Sequence, residues 1–102
     1  MKRKAMQAIT VSLNGDQIEF SPACAFVNRG DAIVWKCPDN LAFAIHFGWN
    51  SPLDKNRYRT RPGGRIQAMV PAGALHGKYK YFAALYDGEN IWTEDPELIV
   101  RR

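Results

Sequence analysis

Long apolar runs, helical periodicity and cysteine are all scarce in this chain, and each scarcity narrows what the protein can be. No stretch approaches the roughly 20 consecutive apolar residues of a membrane-spanning helix. The opening MKRKAMQAITVSL is basic but reaches Asn14-Gly15-Asp16 with no apolar h-region, so the reading is no secretory signal, no membrane partner and a cytoplasmic address. No segment shows a 3.6-residue apolar period between capping residues. The two cysteines, Cys24 and Cys37, lack a CxxC spacing and have no pair of histidines nearby, which makes a poor zinc signal. A reducing compartment disfavours joining them, so both are read as buried free thiols. Catalytic signatures are missing too. There is no Gly-x-Ser-x-Gly elbow and no HExxH, and Gly63-Gly64 lacks the Lys-Ser/Thr ending of a phosphate loop. His46 and His76 have no sequence-evident nucleophile or orienting carboxylate, and the chain is read as a non-enzyme without a cofactor.

What is present is alternation. At 102 residues the chain has the length of one domain, spanning 1–102, with residues 1–6 read as a flexible N-terminal segment. In QAITVSL, Ile9, Val11 and Leu13 share a side, the period of a half-buried strand, and Asn14-Gly15-Asp16 then supplies a turn. QIEF, CAFV and AIVWKC follow, punctuated by Pro22 and by Asn28-Arg29-Gly30-Asp31. LAFAIHFGW puts Leu41, Phe43, Ile45 and Phe47 on one face and His46 on the other. The stretch 50–64, with Pro52, Pro62 and two glycines, reads as a strand edge or extended loop. RIQAMVP, KYKYFAALY and PELIV close the chain. Seven to eight short strands at regular spacing predict an all-β Greek-key sandwich.

The formal net charge of +4 is modest, but it is unevenly spread. Lys55, Arg57, Arg59, Arg61 and Arg65 crowd one segment, Lys2, Arg3, Lys4, Arg101 and Arg102 mark the ends, and Asp87, Glu89, Glu94, Asp95 and Glu97 form an acidic stretch. If 55–61 is extended, its four cations share a side opposite Tyr58. Guanidinium forks there suit phosphate or carboxylate, and Tyr58, Trp49 or Trp92 could stack on bases. A charged edge strand that blocks aggregation is the plainer reading. Trp49 and Trp92 lie beside turns, placed to meet a sugar or an apolar partner, or simply to pack over the sandwich ends.

The order of several pieces carries a resemblance. They are Phe20/Pro22, Gly30-Asp31-Ala32-Ile33-Val34-Trp35, His46, Gly77-Lys78-Tyr79-Lys80-Tyr81 and Leu98-Ile99-Val100. Together they resemble the cupredoxin family of β-sandwiches, from about residue 9 to the end. The resemblance implies a mononuclear copper site of two histidines, a cysteine thiolate and an axial methionine. His46 stands in the region of the first histidine, while the cysteine position falls on Ala83, the second histidine on Tyr86 and the methionine on or near Ile91. Ala83 and Ile91 offer no donor and neutral Tyr86 is a poor one, so the resemblance is to a cupredoxin lacking its copper ligands. The function read from this is a binding or protein-interaction module, with a homodimer among its possible partners. Two alternatives stand beside it: a rearranged metal or redox site using His46, Cys37 or His76, and nucleic-acid or other anionic-partner binding through 55–65.

Overall fold

Alternating apolar residues build this domain from strands. The computed structural model describes residues 6–102, in which eleven strands follow one another. They are β1 (Met6–Asn14), β2 (Gln17–Ser21), β3 (Cys24–Val27), β4 (Ala32–Lys36), β5 (Ala42–His46), β6 (Arg57–Thr60), β7 (Arg65–Met69), β8 (Gly77–Lys80), β9 (Phe82–Tyr86), β10 (Ile91–Glu94) and β11 (Glu97–Val100). Their order in the three sheets is β2-β1-β4-β7, β10-β9-β5-β6 and β3-β11-β8. No helix among the described residues is long and apolar enough to cross a membrane. The expectation of a flexible segment at 1–6 falls, for 1–5, outside the described residues, and Met6 opens β1.

The all-β Greek-key sandwich expected from the pattern is what forms. Two pairings are parallel, β1 with β4 and β3 with β11, and a tight hairpin cannot join parallel neighbours. The chain between them therefore crosses over other strands, as a Greek key requires. The strand count exceeds the seven to eight expected, for a physical reason. The run KYKYFAALY divides at Tyr81, where the backbone stops pairing with β11 and begins pairing with β5 and β10. Its alternation does not break: Tyr79, Tyr81, Ala83 and Leu85 are all buried. Arg57–Thr60 and Ile91–Glu94 add two short outer strands, β6 and β10.

One apolar cluster fills the interior, with Ile9, Val11, Ile33, Trp35, Ile66 and Ala68 from the first sheet meeting Phe43, Ile45, Ala83 and Leu85 from the second. Trp35 is 0% exposed, and its indole N–H donates to the Tyr81 hydroxyl at 3.1 Å. Phe20, Phe47 and Trp35 all lie around the Tyr81 ring, at centroid distances of 6.3, 4.9 and 5.8 Å. The turn before β4 is fixed by Gly30, whose φ of 89° disfavours any side chain, and by the Asp31 carboxylate, which accepts the Asn28 N–H at 2.8 Å. Both cysteines are free, Cys37 buried and Cys24 half-buried.

Candidate functional site

The second sheet has two chemically different faces, and cross-strand register sorts its residues between them. Inward lie Phe43, Ile45, Ala83 and Leu85, all buried. Ile45 stands opposite Ala83, and Phe43 opposite Leu85. Because successive side chains alternate, the partners on the outer face follow directly. One cross-strand row runs Phe82, His46, Arg57; the next runs Thr93, Ala84, Ala44, Arg59; the third runs Ile91, Tyr86, Ala42. Rows are about 6.6 Å apart along the strands, since two residues separate them.

This outer face is apolar at its centre and cationic along one edge. Phe82 is 65% exposed, Ile91 67% and Tyr86 47%, and the three lie on neighbouring strands β9 and β10. Ala42, Ala44 and Ala84 floor the space beside them with little relief. A shallow groove of about 430 Å³ follows the β5–β6 junction between Ala44, His46, Arg57 and Arg59. The Tyr86 hydroxyl donates to the Gly88 carbonyl at 3.1 Å, which restrains its ring. His46 Nδ1 accepts the Gly48 N–H at 2.8 Å, so a hydrogen bond fixes the tautomer in which Nε2 carries the proton.

Charge on the chain is paired in one place and open in another. Lys78 and Lys80 of β8 reach Glu97 and Asp95 at 3.6 Å, so part of the acidic stretch is neutralised by its own neighbours. Backbone N–H groups of Asn90 and Glu89 donate to the Asp87 carboxylate at 2.7 and 2.8 Å, which holds its pKa below the ordinary carboxylate range. Among the described residues, Arg57, Arg59 and Arg61 make no ion pair.

The arrangement of these strands as a whole is similar to that of solved proteins. A purple cupredoxin from Nitrosopumilus maritimus is similar over 93% of this chain and 99% of its own, with a TM-score of 0.62 at 13% identity. The fold is that of the cupredoxins. Amicyanin, in a reduced variant, is similar over 92% of this chain and 82% of its own, with a TM-score of 0.56 at 15% identity. No protein-family profile and no curated protein sequence matches.

A copper centre does not fit the residues this cupredoxin-like domain offers. Ala83 faces inward opposite Ile45, whereas His46, Tyr86 and Ile91 lie on the outer face. His46 and Tyr86 also stand at opposite ends of the β5–β9 ladder, opposite Phe82 and Ala42 respectively. The four positions therefore do not converge, and only His46 among them carries a good donor. Among the described residues, no group of three or more His, Cys, Asp and Glu is placed to hold a metal ion.

The basic segment read as one unit is divided by the fold. Arg57 and Arg59 project from β6 on the outer face, while Lys55 and Arg61 flank the strand in exposed loops. Arg65 opens β7 in the other sheet, where it stands opposite Lys36. Tyr58 faces inward, as alternation implies. Its ring lies 6.5 Å from Trp35, and its hydroxyl donates to Asp54 at 2.7 Å. Burial first, and then the Asp54 carboxylate, raise its pKa well above the ordinary phenol value. Trp92 stands opposite Leu85 and packs half-buried against the core, which leaves Trp49, fully exposed in the turn after β5, as the one free ring of the three named from sequence. The exposed rings on the sheet itself, Phe82 and Tyr86, were missed. Their signal was in the sequence: if Tyr79 and Tyr81 point inward, period two sends Phe82 and Tyr86 outward.

Proposed function

We propose that this cupredoxin-like domain is a binding module rather than an electron carrier, and that it takes an anionic partner on the outer face of its second sheet. The observation that carries the reading is the placement of Arg57 and Arg59, with no carboxylate partner, on the same face as three exposed apolar side chains. A guanidinium left open beside a flat apolar floor is the arrangement that binds phosphate or carboxylate groups attached to a larger molecule. The three rows themselves carry no acidic side chain, and Asp87 and Glu89 lie off the sheet in the β9–β10 turn, at the end of the face away from Arg57. Two unpaired thiols are in keeping with a cytoplasmic setting. No observation favours a metal site rebuilt around His46, because Cys37 is buried at the end of β4 in the other sheet and His76 lies in the loop before β8.

Two measurements test this reading. Titration with Cu(II) is expected to give no intense thiolate-to-copper absorption in the visible, and a stoichiometric blue or green species would contradict it. Binding of inorganic polyphosphate is expected to weaken about tenfold when Arg57→Ala and Arg59→Ala are combined, since charge-assisted contacts are lost. Lys36→Ala with Arg65→Ala removes the same formal charge from the other sheet and is expected to leave that affinity nearly intact. Equal losses in the two double variants would mean that net charge, not this face, does the binding.

A further inference from the structure

We infer that the anionic partner is single-stranded nucleic acid, its bases stacked on Phe82 and Tyr86 and its phosphates held by Arg57 and Arg59. The inference rests on the anion-binding reading above and adds the class of ligand. Strands β9 and β6 lie on either side of β5, so they run parallel to each other with one strand between them. At about 4.8 Å per strand, the line of aromatic side chains and the line of guanidiniums are separated by about 10 Å. That is the reach of one nucleotide from its base, across the sugar, to its phosphate.

The two lines also match along the strand. Arg57 and Arg59 occupy successive rows, one cation about every 6.6 Å, close to the repeat of an extended nucleotide chain. Phe82 and Tyr86 occupy the first and third rows, with Ala84 between them, leaving flat space for a planar base. Ile91 widens the apolar surface beside Tyr86, and Trp49 stands exposed beyond the His46 end. Sheet faces that carry aromatic side chains beside a cationic track bind single strands by stacking, with little sequence preference. An acidic peptide would use the arginines but does not bring an aromatic ring with each negative charge, as a nucleotide does. A duplex hides its base faces, so it too would leave Phe82 and Tyr86 idle.

The full chain should be titrated by fluorescence anisotropy against labelled oligouridine and oligodeoxythymidine of about 12 nucleotides, a length within the site sizes of such surfaces. A duplex of the same length, polyglutamate and inorganic polyphosphate serve as the other probes. The single strands are expected to bind more tightly than the duplex or polyglutamate. Phe82→Ala and Tyr86→Ala should each weaken single-strand binding about 5- to 100-fold and leave polyphosphate binding unchanged. Phe82→Tyr, which keeps the ring, should restore the affinity. Combining Arg57→Ala with Arg59→Ala should flatten the slope of log affinity against log salt by about 1.4. If polyphosphate binds through the arginines while the single strands show no preference, or the aromatic variants are neutral, the nucleic-acid inference falls and the anion-binding reading stands. If none of these polyanions binds, both fall.

Discussion

Replacing Trp35 by alanine is expected to lower the unfolding free energy by about 3–5 kcal/mol, the largest loss any single substitution in this domain should produce. The residue sits on β4, which pairs with both β1 and β7, and it is fully enclosed between the sheets. Removing its indole opens a cavity against Tyr58 and Tyr81 and leaves the Tyr81 hydroxyl without the N–H it accepts. A domain of this size has about 5–15 kcal/mol in total, so the variant should be marginal at physiological temperature. Tyr81→Phe separates the two contributions. It keeps the ring and removes only the acceptor, stranding the Trp35 N–H, and should lose about 1–3 kcal/mol. Urea titration of the two variants measures the difference, and a Trp35→Ala loss no greater than that of Tyr81→Phe would mean the sheets collapse around the vacancy.

The same residue shows how much of the fold was legible. The alternation in AIVWKC marks a strand on sequence grounds alone, and that strand is β4, with Trp35 enclosed between the sheets. Period two likewise put Ile9 with Val11 and Phe43 with Ile45 on shared sides of their strands, and all four are buried. Hydrogen-bond partners were not legible. Alternation has no term for which strand a segment pairs with, so the passage of one run from β11 to β5 and β10 at Tyr81 could not be seen. Nor could the separation of Arg65 from Arg57 and Arg59, because the turn at 61–64 moves the chain from one sheet to the other. The candidate site suffered most from this. It is assembled from β5, β6, β9 and β10, which are neighbours only through long-range pairing, so a linear search for charge found the arginines without their aromatic companions.

The surface and the core are also chemically decoupled, which bears on testing either. Every residue proposed to touch a ligand is exposed or half-buried on one side of the second sheet, while the opposite side supplies Phe43, Ile45, Ala83 and Leu85 to the interior. Surface substitutions away from packed features usually change stability by less than about 0.5 kcal/mol. Phe82, Tyr86, Arg57 and Arg59 can therefore be altered with the fold retained, whereas Trp35 and Tyr81 report on the fold with the binding face untouched.

Raising the pH from 10 toward 12 should destabilise the domain through Tyr81. Burial among Trp35, Phe20 and Phe47 disfavours its phenolate and pushes its pKa up to about 12, from 10.0 in an exposed tyrosine. The unfolded chain therefore releases this proton first. Below pH 10 both states hold it and the native state keeps its full advantage. Between pH 10 and about 12 only the native state holds it, so each unit of pH favours unfolding. Two units correspond to an upper value of about 2–3 kcal/mol, lost progressively across that window. Tyr58, raised in the same direction by burial and by Asp54, adds to the trend at the alkaline end. The slope in the parent protein sums every group that titrates there, so the contribution of Tyr81 is read by difference. The comparison is with Tyr81→Phe: that variant starts from a lower stability but lacks this buried phenol, and its stability should fall less steeply above pH 10. Identical slopes in the two proteins would mean that Tyr81 ionises without leaving the core, and that water reaches its hydroxyl in the native state.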